Sequence, residues 1–182
     1  MKVNFISTPL TGEAIGSLKA GDDVYLSGTI YTARDMVHRK LANMLAKGRP
    51  LPAMLKGAVI YYAGPTPASP GRPIGSCGPT TSSRMDAFTP ALIRCGLKAM
   101  IGKGGRSEGV RKAIKGYKGI YFLAPAGLGA LLAMKVRSAK PILFKELGPE
   151  AVYKLEVEDF PLIVGIDSKG RDIYGKAEWK KA

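Results

Sequence analysis

The sequence predicts an α/β fold in one domain spanning residues 1–182, and three observations predict it. Short β-branched and aromatic runs alternate with segments of helical periodicity along most of the chain. Clusters of Gly, Pro, Ser and Thr punctuate them. Towards the C-terminus the pattern turns mostly to β, as a partly separate sheet would require. The 182 residues, 46% of them hydrophobic, suffice for one real core and argue against disorder.

In order along the chain, Val3–Ser7 reads as an opening strand. Thr11 caps a brief helix over residues 12–18, with Ala14, Ile15 and Leu18 on one side. Ala20-Gly21-Asp22 turns into a strand over residues 23–31, broken by Ser27-Gly28. Asp35 is the expected N-cap of a helix over residues 36–47, where Val37, Leu41, Met44 and Leu45 share a face. Gly48-Arg49-Pro50 stops it. Residues 58–63 form a strand, followed by a long loop over residues 64–83 rich in Gly, Pro, Ser and Thr. A helix is expected over residues 85–97, a strand over 99–101, and a helix capped by Ser107 as far as residue 115. A strand at 119–123 and a helix at 128–136 come next. Strands are then expected at 142–146, 151–157, 162–166 and 172–174, with Ser168-Lys169-Gly170 as the last turn.

Composition narrows the function. The apolar stretches at residues 57–64 and 123–136 are too short or too interrupted to cross a bilayer. Residues 1–9 lack a signal-peptide core, so a cytoplasmic protein is expected. Two cysteines, Cys77 and Cys95, and one histidine, His38, cannot hold a zinc or iron–sulfur centre by themselves, so no metal ligands are expected here. The net charge of +14 implies an anionic partner: an acidic subunit, anionic small molecules or nucleic acid. The chain has no zinc-finger spacing, RNA-recognition aromatic motif or basic-region heptad, which weighs against nucleic acid.

Three basic residues stand beside turns at expected strand ends or helix starts: Arg34, Arg84 and Lys103. Ligands of open α/β sheets bind at such ends, where helix N-termini also attract anions. Two Arg forks and a mobile Lys charge would clamp a dicarboxylate; the alternative for each is an ordinary surface charge. The segment Gly78-Pro79-Thr80-Thr81-Ser82-Ser83-Arg84 reads equally as an anion site or as a hydroxyl-rich helix cap. Gly102-Lys103-Gly104-Gly105 lacks the spacing of a nucleotide-binding loop. His38 is a proton carrier or, more simply, a structural helix residue, and Cys77 is a small buried filler more readily than a reactive thiol.

In order, the segments resemble the β subunit of class I fumarases and L(+)-tartrate dehydratases. The resemblance lies in Leu18-Lys19-Ala20-Gly21-Asp22, Leu26-Ser27-Gly28, Thr32-Ala33-Arg34-Asp35 with His38, and Tyr62-Ala63-Gly64-Pro65. It continues in Gly78-Pro79-Thr80-Thr81 with Arg84-Met85-Asp86, Ile101-Gly102-Lys103-Gly104-Gly105, Leu147-Gly148-Pro149-Glu150-Ala151 and Ile166-Asp167-Ser168-Lys169-Gly170. The resemblance implies a swivelling β/β/α domain related to the mobile domain of aconitase. It also implies a separate α subunit whose cysteines hold a 4Fe-4S cluster, in an α2β2 assembly. The implied reaction is reversible hydration of fumarate to L-malate, with tartrate dehydration as the alternative. Arg34, Arg84 and Lys103 match substrate-carboxylate contacts, and Thr80 matches a proposed proton-abstracting residue. Asp35, His38 and Thr81 stand beside them in supporting roles. Val37, Cys77 and Ser83 depart from the family's usual residues without removing a charged contact.

Overall fold

The computed structural model describes residues 3–175; the ends of the expected span, residues 1–2 and 176–182, lie outside the described residues. The chain runs β1 (Val3–Ser7), α1 (Gly12–Ser17), β2 (Asp23–Thr32), α2 (Asp35–Ala46), β3 (Val59–Tyr61), α3 (Thr89–Arg94) and β4 (Ala99–Gly102). It continues through α4 (Glu108–Tyr117), β5 (Ile120–Leu123), α5 (Gly129–Met134), β6 (Val136–Leu143) and β7 (Val152–Ile166).

Strands β1 to β5 pair in parallel, each with the next. Strand β7 runs antiparallel to β5, β6 and β2. Because β7 pairs with both β5 and β2, the strands β2-β3-β4-β5-β7 close on themselves in a barrel-like ring. Both long strands change partner on one side along their length. Strand β2 pairs with β1 over Asp23–Ser27 and with β3 at Tyr31 and Thr32. Strand β7 pairs with β6 as far as Val157 and with β5 from Ile163. A register shift between Leu26 and Gly28 falls where β2 leaves β1, and a left-handed Asp159 (φ 48°) lies between the two stretches of β7; such irregularities bend and twist a strand.

Side-chain alternation then sorts the core into two layers. Val59, Tyr61, Ala99, Ile101, Ile120 and Phe122 fill the inner core with Leu26, Ile30, Leu155 and Phe160. Their neighbours Ile60, Tyr62, Met100 and Tyr121 face the outer core, under Val37, Leu41, Leu92, Val110 and Ile114 of the helices. Strands buried on both faces read as continuous apolar runs, as these do. Each large side chain so buried contributes roughly 1.5–3 kcal/mol.

Five expectations need correcting. The helix expected at 85–97 is instead a 3-10 turn, Ser82–Met85, followed by α3. Pro90 lacks an N–H and fits only a first helical turn, so the helix starts there. Asp35 does not cap α2. Arg34 holds the cap position, and the Asp35 carboxylate is engaged elsewhere. The strand expected at 142–146 lies earlier, as β6, and a 3-10 turn over Lys145–Glu150 follows. Apolar residues 128–136 carry no periodicity that separates the end of α5 from the start of this edge strand. The strands expected at 151–157 and 162–166 are one. Pro161 is tolerated within β7 because it pairs only with β2, at the point where β6 has ended and β5 has not begun. Residues 172–174 contribute a single bridge, Asp172 to Ile166, rather than a strand.

Candidate active site

Parallel pairing brings the C-terminal ends of β2, β3 and β4 to one edge of the barrel, and the candidate residues follow those ends. Thr32, at the end of β2, donates from its hydroxyl to the Ala151 carbonyl (3.2 Å) and accepts from the Tyr153 amide (3.0 Å). This ties the strand end to the start of β7 and sets Arg34 beside Glu150. Arg34 Nη2 stands 3.6 Å from Glu150 Oε1, and Glu150 Oε2 accepts the Met36 amide at 3.2 Å. Gly64, just after β3, passes close by: a Cβ there would lie 3.0 Å from both Arg34 Nη1 and the Pro149 carbonyl.

Residues 77–82 run alongside the strand ends. The Cys77 amide donates to the Gly129 carbonyl at 3.0 Å, and the Thr80 amide to the Tyr62 carbonyl at 2.7 Å. Thr81 bridges to Lys103 in parallel, and the Ser82 amide donates to the Lys103 carbonyl at 3.1 Å. The Lys103 amide in turn donates to Ser82 Oγ at 3.0 Å. Gly102 is required at this crossing because a Cβ would collide with Ser82 Oγ and come within 2.9 Å of the Tyr62 ring. Arg84 leaves the following turn half exposed, and its Nε donates to Asp35 Oδ1 at 2.8 Å.

The structure thus brings Arg34, Asp35, Thr80, Thr81, Arg84 and Lys103 to one edge. Among the described residues, no hydrogen bond or ion pair joins the Lys103 ammonium or the Thr80 hydroxyl to another group. Three cations face two paired carboxylates, so the edge keeps an excess of positive charge suited to a small dianion.

His38 lies behind this edge, fully buried, with its ring edge-on to Tyr62. Nδ1 is 2.9 Å from the Arg34 carbonyl, which also accepts the His38 amide. Burial pushes its pKa down to about 4, so the ring is neutral near pH 7 and donates from Nδ1 to that carbonyl. His38 therefore braces the start of α2 and presents no proton to solvent.

Beneath the loops lies a polar network that the sequence reading missed. Arg106 is buried, with Nε 2.7 Å from Asp86 Oδ1 and Nη2 3.0 Å from Thr89 Oγ1. Its guanidinium lies 5.2 Å from the Tyr62 ring centroid and 4.9 Å from that of Tyr121. Burial works against this cation, but Tyr62, the Asp86 carboxylate and Tyr121 outweigh it and hold it protonated. Tyr121 Oη is 2.9 Å from both Ser82 Oγ and the Gly104 carbonyl, and burial drives its pKa up, so it remains a neutral donor. A lone Arg ahead of a Ser helix cap looks like any surface cation in sequence. Asp86 at least falls within the Arg84-Met85-Asp86 segment that carried the resemblance.

Cys77 and Cys95 are free and pack into different cores. Burial raises the Cys77 thiol to about 12, the opposite of what a thiolate ligand requires. Among the described residues no three His, Cys, Asp or Glu side chains gather as a metal site. The donors among the described residues, which include both cysteines, therefore do not fit an iron–sulfur cluster.

Comparison with known proteins gives this edge a family. The family described as fumarase C-terminus matches residues 1–177. Fumarate hydratase 2 of Leishmania major is 40% identical over 166 residues, covering 90% of this chain but 29% of that enzyme. A chain of Methanocaldococcus jannaschii, provisionally named an L(+)-tartrate dehydratase β subunit, is 42% identical over 94% of this chain and 91% of its own length. The L(+)-tartrate dehydratase β subunit of Escherichia coli K12 is 36% identical, over 97% and 88% respectively. The chain spans under a third of the Leishmania enzyme and nearly the whole of the two β subunits, and it belongs to the fumarase C-terminus family.

Proposed function

We propose that this chain is the β subunit of a hydro-lyase that reversibly hydrates fumarate to L-malate at a site completed by a separate α subunit. The observation that carries the reading is Arg84, oriented by Asp35 on one edge and open on the other, beside the Thr80 hydroxyl and a Lys103 ammonium that no described residue pairs. In this reading the forks of Arg34 and Arg84 hold the substrate carboxylates, and Lys103 adds a third, movable charge. In the direction of dehydration, the Thr80 oxygen takes the proton from the carbon next to one carboxylate as the hydroxyl leaves the adjacent carbon. A threonine hydroxyl is a poor base, and the surrounding cations favour its ionised form. The 4Fe-4S cluster, which we assign to the α subunit, would supply Lewis-acid chemistry when bound there.

Two relatives of matching length carry tartrate dehydratase names, which favours tartrate as a second substrate reading. Both readings share the clamp and differ by one hydroxyl on the ligand. We further assign the chain to the cytoplasm, as one domain of an α2β2 enzyme that swivels over substrate like the mobile domain of aconitase. Among the described residues, no helix is long and apolar enough to cross a membrane.

The test is anaerobic turnover of fumarate and of L(+)-tartrate by this chain alone and after assembly with the cluster-loaded α subunit. Activity on fumarate in the assembled sample only is the expected result. Activity on tartrate alone selects the second reading, and turnover of neither rejects the proposal.

A further inference from the structure

We infer that Arg106 is a positioning residue for the clamp, locking the Ser82–Met85 turn to the 103–107 loop and so fixing where Arg84 and Lys103 stand relative to Thr80. The inference rests on the functional reading above. Its basis is that one buried guanidinium contacts Asp86, Tyr121 and Tyr62, each of which is bonded to or lies within a segment that carries a site residue.

On the first side, Arg106 Nε grips Asp86 Oδ1 at 2.7 Å, two residues after Arg84. The second oxygen of Asp86 accepts the Ser107 amide at 2.6 Å, so this carboxylate staples the turn to the loop. On the second side, the guanidinium lies over Tyr121, whose hydroxyl reaches Ser82 Oγ and the Gly104 carbonyl at 2.9 Å. That Ser82 oxygen accepts the Lys103 amide, which fixes the backbone from which the Lys103 side chain departs. On the third side it lies over Tyr62, 3.5 Å from its hydroxyl, and the Tyr62 carbonyl accepts the Thr80 amide. A buried ion pair is often no more stabilising than an apolar replacement of the same shape, so the pair by itself is weak evidence of a purely stabilising role. The planar fork fixes directions in a way an ammonium does not. Lysine at this position would keep the charge and lose the simultaneous hold on Asp86 and Thr89.

The deciding variant is Arg106→Lys, assembled with the α subunit. KM for the dicarboxylate should rise about 10-fold, with a smaller fall in kcat and normal assembly. On an Arg84→Ala, Lys103→Ala background, where both groups it positions are gone, the same substitution should change KM less than about 2-fold, because residues acting through one contact are not additive. A wild-type KM in Arg106→Lys, or an undiminished effect on the Arg84→Ala, Lys103→Ala background, overturns the inference. Amide exchange on the chain alone is the second measurement, and it does not depend on the reaction. Exchange at Ser82 and Lys103 should accelerate in Arg106→Lys while the β1–β2 amides keep wild-type rates; unchanged Ser82 and Lys103 rates overturn the inference. If the wild-type enzyme turns over neither fumarate nor tartrate, the functional reading fails and the exchange result alone decides the positioning role. If Arg106→Lys does not fold, Asp86→Asn replaces it with the same two outcomes.

Discussion

A guanidinium bound along one edge keeps its direction while its remaining N–H groups stay available, and this is the condition of Arg84 against Asp35. A charge-assisted contact from those N–H groups to a substrate carboxylate, shielded from water in the assembled site, would be worth about 1.5–3 kcal/mol. Arg84→Ala in the assembled enzyme should therefore lower kcat/KM by about 10- to 100-fold without disturbing assembly. Steady-state kinetics beside a sizing column would check both halves of that expectation. His38 gives a prediction of a different kind. Its pKa falls from 6.5 to about 4 on folding through burial, so the unfolded chain takes up this proton first as pH drops. Stability from this group is then complete above pH 6.5 and is lost progressively down to about pH 4, by about 3 kcal/mol in full. His38→Gln should not show this component, so the stability gap between wild type and variant should shrink between pH 7.5 and pH 4 in urea titrations. A constant gap would mean that the ring is not held neutral. The placement of Arg34, Arg84 and Lys103 near strand ends was legible in the sequence because each stands beside turn residues. Arg106 was not, because burial of a single cation leaves no trace in spacing or composition.

Elements with a strong local signature were legible, and those set by tertiary partners were not. Thr11 and Ser107 cap α1 and α4 as their side chains predict, with Ala14 N at 3.1 Å and Val110 N at 3.4 Å. Strands β3, β4 and β5 were read from their apolar runs within a residue or two. The closure of the barrel was hidden, because it depends on β7 pairing with β2 across more than a hundred residues of sequence. One turn holds the C-terminal end of β7 in register with the start of β2. Asp167 is fully buried there, accepting the Lys169 and Arg171 amides and Arg171 Nε, and reaching across to the Ala20 amide at 3.2 Å. Asp167→Ala leaves these donors without their shared acceptor and should cost about 3 kcal/mol. The urea midpoint should fall with an unchanged slope; a variant as stable as wild type would show that the turn is not needed for closure.

At the scale of the whole molecule, charge and cysteine placement both bear on the proposed partnership with an α subunit. The 28 basic residues against 14 acidic ones exceed what the proposed three-cation clamp requires, and the excess would suit the proposed acidic partner surface as well as an anionic substrate. Iron–sulfur clusters are held by thiolates, commonly four. This chain offers two cysteines; Cys77 packs in the inner core with its thiol raised to about 12, and Cys95 packs against the outer one. Bringing them together would require taking apart the sheet that separates those cores. Anaerobic treatment of the isolated chain with iron and sulfide, followed by desalting, should therefore leave no stoichiometric iron and no cluster absorbance. The complex with the α subunit, treated in the same way, should retain both. A cluster retained by the isolated chain would overturn the assignment of that cofactor to the partner, and Cys77→Ser and Cys95→Ser variants would then show which thiol had left its core to bind it.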